Sequence, residues 1–278
     1  MNRSKKIVTL IIMGVVSCFV GFSAVVDFDL RLTPKDPGQY YLMNEGGRGY
    51  NNTYTVGFDV RVRAVNGTNV AVNYVAAFCC ELAQNIGTGG NTFETASLSG
   101  LAASSAGSYG TASSGIPIGG IGAQRSAYVS YLFDRYYESA DLSQWIYNVE
   151  NPMTHAFQLA LWEITHDSDL SLTNTTGVIY TDTQVGGDTI LRNNAISIAQ
   201  SMIDDICSAN LNSSYVSTNF NIWALTSSDK QDIILAFKKG GQEDDIIRPM
   251  IPEPSTIAIA GFATVVVLAL RRLIYWDS

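Results

Sequence analysis

Val26, Phe28 and Leu30 alternate with Asp27, Asp29 and Arg31. Further on, Val56, Phe58, Val60 and Val62 alternate with Gly57, Asp59, Arg61 and Arg63. A period of two marks half-buried antiparallel strands. Pro37, Gly38 and a loop over 44–52 separate these two strands. Asn66-Gly67 predicts a tight turn into a third strand from Val70 to Phe78. From Gln124 the period becomes helical: Tyr128, Tyr131, Leu132 and Tyr136 share one face, and Asp141 to Tyr147 forms a short helix carrying Trp145. Asn151 to His166 reads NPMTHAFQLALWEITH. Asn151 suits an N-cap and Pro152 the first turn, and Phe157, Ala160, Leu161 and Ile164 recur at the spacing of one buried helical face. After a strand at Val178 to Tyr180, a long amphipathic helix runs from Asp188 to Ala209, with Ile190, Ala195, Ile198, Met202 and Ile206 inward. Phe220 to Leu225 and Asp232 to Phe237 are closing strands. The Gly-, Ser- and Ala-rich stretch 87–122 has few large apolar residues and reads as a surface loop or insertion, partly disordered or lightly stranded. The pattern predicts an α+β domain over 24–237: an antiparallel β-sandwich or barrel-like sheet with a packed helical subdomain.

The two ends differ in kind from this domain. Arg3, Lys5 and Lys6 precede an apolar run from Ile7 to Val16, and Gly21 and Ser23 stand before a cleavage point at Ala24, so 1–23 reads as a helical signal peptide. Cys18 within it gives a second reading as a lipidated cysteine. Residues 238–251 are polar and charged, a linker. Pro252-Glu253-Pro254, an apolar span over 257–270 and Arg271-Arg272 then follow in order. The span predicts a short transmembrane helix, and the two arginines place its end in the cytoplasm. This tripartite pattern over 252–278 resembles the PEP-CTERM sorting signal of bacterial exported proteins. The resemblance implies processing by an exosortase after signal peptidase, a transient stay in the inner membrane, and release to the cell surface or extracellular matrix. An ordinary tail anchor would share that topology without cleavage.

Only 15% of the 278 residues are charged, as expected of an exported chain. The formal charge is -8, and it becomes more acidic once the basic termini are removed. Such a surface repels nucleic acid, which is excluded as a partner. GTGG and GIPIGGIG lack the Lys and Ser/Thr of a phosphate loop. No spacing of metal ligands occurs, and nothing calls for a cofactor.

With Cys18 lost, Cys79, Cys80 and Cys207 remain, an odd number for an exported chain. A Cys80–Cys207 disulfide would leave Cys79 over. On a strand Cys79 and Cys80 face opposite sides, so their surroundings differ. Cys79 is then either a buried free thiol or a nucleophile. Gln158, at the margin of an apolar helical face, supplies an electrophile. A thiolate that attacks its carboxamide expels ammonia and leaves an intramolecular thioester, provided water is held off. Phe78, Trp145, Phe157 and Trp162 are candidates for that shielding. His155, one turn before Gln158, is a candidate proton shuttle, or else a solvated histidine at the helix start. With Cys80 in place of Cys79 the same chemistry is available.

FCCELAQ, a helical stretch containing QWIYN, and AFQLALWEI together resemble the thioester domain of bacterial surface proteins. In that family a Cys after an aromatic residue is joined to the Gln of a TQxAIW-like helix. Cys79 follows Phe78, and Gln158 is followed by Ala160, Leu161 and Trp162; Phe157 stands where the family has Thr. The likeness spans roughly Tyr54 to Phe237. It implies a one-shot covalent attachment, not an enzyme: a partner's Lys amine or a glycan hydroxyl attacks the Gln158 acyl carbon and frees Cys79. Two alternatives stand beside it. One is a non-reactive matrix protein in which these residues only pack. The other is a secreted cysteine hydrolase using Cys79 or Cys80 with His155 or His166, for which no nucleophile elbow or orienting triad is evident. Glu163, Asp167 and Asp169 read as a solvated, charged helix end.

Overall fold

The computed structural model describes residues 24–31, 40–44, 50–54, 58–70, 74–80, 89–101, 121–137, 151–166, 170–172, 181–182, 189–227 and 232–247. The chain divides into two compact units, Val25–Ile247 and residues 1–24 with 248–278. The signal segment, the Pro252 to Pro254 motif and the apolar span 257–270 lie outside the described residues. So do Trp145 with its short helix, and the strand expected at Val178 to Tyr180. Among the described residues no helix is long and apolar enough to cross a membrane.

In chain order the strands are β1 (Val25–Arg31), β2 (Tyr40–Asn44), β3 (Tyr50–Tyr54), β4 (Phe58–Val65), β5 (Thr68–Asn69), β6 (Tyr74–Cys79), β7 (Gly89–Ala96), β8 (Thr181–Asp182), β9 (Phe220–Thr226) and β10 (Ile233–Lys238). The helices are α1 (Gly122–Leu132), α2 (Pro152–His166), α3 (Thr189–Ser208) and α4 (Gln242–Ile247). One sheet runs β1-β7-β9-β10-β6-β4-β5, and β4 also pairs with β1. Six antiparallel strands thus close into a barrel, which abolishes the free edges of the sheet. A second sheet, β3-β2-β8, has three strands. The architecture is α+β, a barrel with a helical layer.

Strand alternation decides what faces the lumen. Val26 pairs with Phe93, Phe28 with Val62 and Val60 with Val75, so these positions share the inner side. Val26, Phe28, Val60, Val62 and Phe93 are buried, and the Phe28 and Phe93 rings lie 4.8 Å apart. The Asn66-Gly67 turn joins β4 and β5 with φ of 51° and 75°, a left-handed pair that suits Asn and Gly. Asn66 also fastens the closing seam: its N–H donates to Val25 O, and its Oδ1 accepts from Val25 N.

Three expectations are revised. Residues 89–96, read as part of an insertion, form a barrel strand between β1 and β9. The linker contains α4. On α3 the buried residues are Ala195, Ala199, Met202, Ile203 and Ile206, while Ile190 is 73% exposed in the first turn. The inner stripe therefore starts one turn later than the pattern implied.

The outer face of β6, β9 and β10 is also buried, under helices. After α1 the chain makes a π-type turn, Phe133–Tyr137. That extra residue per turn swings Phe133 and Tyr137 inward. Tyr131 and Tyr136, grouped on the apolar face from sequence, instead direct their hydroxyls to Asp205 Oδ2 at 3.3 and 2.8 Å. Phe78 from β6 packs on Phe157 of α2, with centroids 4.6 Å apart, and Phe133 and Tyr137 complete the cluster.

Candidate functional site

Helix α2 positions one half of the site. Asn151 Oδ1 accepts from Met153 N–H at 3.0 Å and caps the first turn, with Pro152 beside it. Every side chain from Thr154 to His166 is buried. The single apolar face read from the periodicity is the part against β6; the other sides meet α1 and α3. Polar residues in so dry a helix need partners. Thr165 Oγ1 donates to Leu161 O, His166 Nδ1 lies 2.8 Å from Thr165 Oγ1, and Glu163 Oε1 accepts from Ser171 N–H at 2.7 Å. Glu163 is therefore an interior anchor for the segment after the helix and not a solvated end. His155 is likewise buried, at 1% exposure, which removes the reading of a solvated helix-start histidine.

Strand β6 brings the other half. Cys79 pairs with Ile233 of β10, and Cys80 N–H donates to Asp232 O at 3.1 Å. In that register the N–H and C=O of Cys79 point away from β10, toward the β4 side. The described β4 ladder begins at Phe58, opposite Ala77, two residues short of Cys79. Gln158 bonds both backbone groups of Cys79. Its Oε1 accepts from Cys79 N–H at 3.1 Å, and its Nε2 donates to Cys79 O at 2.7 Å. Gln158 is fully buried and Cys79 nearly so. The carboxamide thus spans the Cys79 backbone as a neighbouring strand would.

This pairing separates the two cysteines. Cys79 follows the inner parity of Ala77 and Ile233; Cys80 falls on the outer side with Phe78 and the helices. Cys79, Cys80 and Cys207 are all free thiols, with Cys80 buried and Cys207 exposed on α3. The Cys80–Cys207 disulfide weighed from sequence is absent, because its two ends occupy the interior and the surface. Of the expected shielding residues, Phe78, Phe157 and Trp162 are buried. Phe133 and Tyr137 join them, and only the π-type turn makes that visible; the Phe and Tyr four apart were the sequence signal.

Two acids lie at the edges of the site. Asp232 is buried at the start of β10, where its carboxylate accepts from Ser227 N–H at 2.9 Å. Burial pushes its carboxyl up to about 6, against the pull of that hydrogen bond. Asp134, in the π-type turn, accepts from the Tyr215 and Ser217 hydroxyls and from the Thr218 and Asn219 N–H groups. Burial alone would raise its carboxyl, but these bonds outweigh it and hold the group below the usual carboxylate range. Among the described residues no group of three or more His, Cys, Asp or Glu side chains could hold a metal ion.

No family model matches the chain, and no curated protein matches it. Among solved structures, it is similar to the N-terminal thioester domain of fibronectin-binding protein SfbI from Streptococcus pyogenes. Identity there is 13% over 74% of this chain and 96% of that one, with a TM-score of 0.37. It is also similar to the N-terminal domain of the Streptococcus pyogenes pilus tip adhesin Cpa, at 13% identity, 75% and 98% coverage and a TM-score of 0.33.

Proposed function

We propose that Cys79 and Gln158 form an internal thioester that attaches this exported chain covalently to a surface or matrix nucleophile. The observation that carries the reading is the doubly hydrogen-bonded, fully buried Gln158 carboxamide on the Cys79 backbone. Two bonds to one residue hold the amide near the plane of the sheet. Cβ of Cys79 rises out of that plane. In the proposed step the sulfur approaches the carbonyl carbon from outside that plane, the direction a nucleophile needs. The Sγ–Cδ bond forms, the Cδ–Nε2 bond breaks, and the thiol proton leaves with nitrogen as ammonia. His155, buried one turn before Gln158, is the candidate carrier of that proton. An amine or hydroxyl of a partner then takes the acyl group and returns the thiol. Each molecule reacts once, so the chain is not an enzyme. The signal segment and the PEP-CTERM-like end support export, exosortase processing and a cell-surface or matrix location.

A second reading has its own observation. The same two hydrogen bonds give both backbone groups of Cys79 a partner as a structural staple, and a matrix protein needs nothing more. Intact mass of the mature chain separates the two. The thioester gives a mass one ammonia below the sequence mass, and methylamine converts the deficit to an adduct on Gln158. Cys79→Ala abolishes both. A full-mass chain whose Cys79 stays alkylatable leaves the staple alone.

A further inference from the structure

The turn that fastens the closing seam of the barrel is also a chemically labile pair. Asn66-Gly67 is the one Asn-Gly sequence in the chain. Both residues are exposed. Gly67 has no Cβ to screen its nitrogen, and nothing lies within 4 Å of where a Cβ would stand. We infer that Asn66 is a site of spontaneous deamidation that the closed seam holds in check, and that its isoaspartyl product keeps an opened seam from closing again. This chemistry needs only water and is independent of the thioester.

In the first step the Gly67 nitrogen attacks Asn66 Cγ. The N–Cγ bond forms, the Cγ–Nδ2 bond breaks, and the Gly67 amide proton leaves with Nδ2 as ammonia. A five-membered succinimide remains. Water then breaks one of its two imide C–N bonds. Cleavage at Cγ gives Asp. Cleavage at the original main-chain carbonyl gives isoaspartate, in which the chain runs through Cβ and Cγ. No electrons change hands.

Ring closure needs Asn66 Cβ and the Gly67 nitrogen on the same side of the Cα–C bond. The native turn holds them apart. Val65 pairs with Thr68 across a two-residue loop, and φ values of 51° and 75° put Asn66 and Gly67 in the left-handed region. There ψ is about +47°, which in an L-residue sets Cβ nearly opposite the next nitrogen. Rotation to the reactive arrangement carries Asn66 out of the turn. Two bonds oppose it: Asn66 N–H donates to Val25 O at 2.7 Å, and Asn66 Oδ1 accepts from Val25 N–H at 3.0 Å. Val25 opens β1, whose pairing with β4 closes the barrel. The reaction therefore proceeds from chains whose seam has opened locally.

The two products differ at that seam. Asp keeps the main chain and an oxygen acceptor for Val25 N–H. Isoaspartate adds one main-chain atom to a two-residue loop and converts the former Asn66 carbonyl into a carboxylate. The Val65–Thr68 pairing and both bonds to Val25 then no longer fit one conformation.

The test holds the full chain in mildly alkaline buffer, native in one sample and above its guanidinium unfolding midpoint in another. Peptide mapping follows the NH2-to-OH mass change at Asn66, and isoaspartyl methyltransferase marks the branched product. Native conversion should be at least about tenfold slower than in denaturant, since it is limited by the opened fraction. Equal rates overturn the protection by the seam. The Asp and isoaspartyl forms that accumulate in the native sample are then separated by chromatography and melted side by side. The isoaspartyl form should melt a few degrees below the Asp form. Equal melting of the two overturns the latch, because the added charge and not the added chain atom would then account for any loss. The Asn66→Asp variant, made directly, should melt with the chemically formed Asp chain; a mismatch would show damage elsewhere as the cause and sink the inference.

Discussion

A carboxamide whose oxygen and nitrogen both engage one backbone residue behaves as a short piece of strand. At Cys79 that role depends on Gln158 and on the backbone, not on the sulfur. Cys79→Ala should therefore keep the staple while losing the chemistry. Adding Gln158→Leu to Cys79→Ala then removes the partners of a buried N–H and C=O together, at a cost of about 2–4 kcal/mol. Urea denaturation measures it as a lower midpoint at an unchanged slope. Equal midpoints for the single and double variants would mean that the amide contributes nothing to the barrel–helix junction. The Cys and Gln were legible in the sequence because of their chemistry. Their exact relation was not, since nothing in FCCELAQ says that a side-chain amide from α2 bonds the Cys79 backbone. Nor does polarity alone betray that His155 and Glu163 are interior, because neighbours from α1 and α3 decide it.

Between elements, a half-buried acid and a buried one act with opposite signs. Asp134 ties the π-type turn to the segment leading into β9 through Tyr215, Ser217, Thr218 and Asn219. Asp134→Ala should cost about 1–2 kcal/mol in denaturant unfolding, because four donors lose their acceptor and water replaces it only in part. Since the folded carboxyl lies below its ordinary value, its contribution is present above the unfolded pKa near 3.8 and is lost as pH falls through the lower folded pKa. Asp232 runs the other way. Its folded pKa is raised from 3.8 to about 6, so the folded state favours the proton. Stability linked to it is full below 3.8 and is lost as pH rises through 6. That loss is on the order of 2–3 kcal/mol between pH 4 and pH 7. Asp232→Asn keeps an acceptor for Ser227 N–H and should flatten that limb, so its Tm gains over the parent at pH 7.5 but not at pH 4. A parent stability that does not decline over that window would remove the buried charge from the account. Neither acid stood out in the sequence: Asp134 was hidden by the π-type turn, which breaks the helical period, and Asp232 looked like an ordinary strand end.

Across the whole molecule, strand existence was easier to read than strand partnership. β1, β4, β9 and β10 followed from alternation and turn residues, as did the Asn66-Gly67 hairpin. β7 was missed because GGNTFETA offers one large apolar residue, Phe93, and its partners β1 and β9 are distant in the chain. Closure of the barrel depends on that strand, so sequence pattern alone left sandwich and barrel undecided. The closed fold in turn fixes how the three thiols respond. Cys79 and Cys80 are buried while Cys207 is exposed on α3, where burial and then Asp204 raise its pKa. A maleimide applied to the native chain should therefore label Cys207 and neither of the others. With the thioester formed, denaturation in mild acid followed by labelling adds Cys80 alone, because the Cys79 sulfur is held as acyl. Pretreatment with methylamine before denaturation adds Cys79 as well. Peptide mapping reads all three conditions. Cys80 labelled natively would contradict its burial, and Cys79 labelled after denaturation without any amine, with Gln158 still an amide rather than a hydrolysed acid, would show a sulfur that had never been acylated.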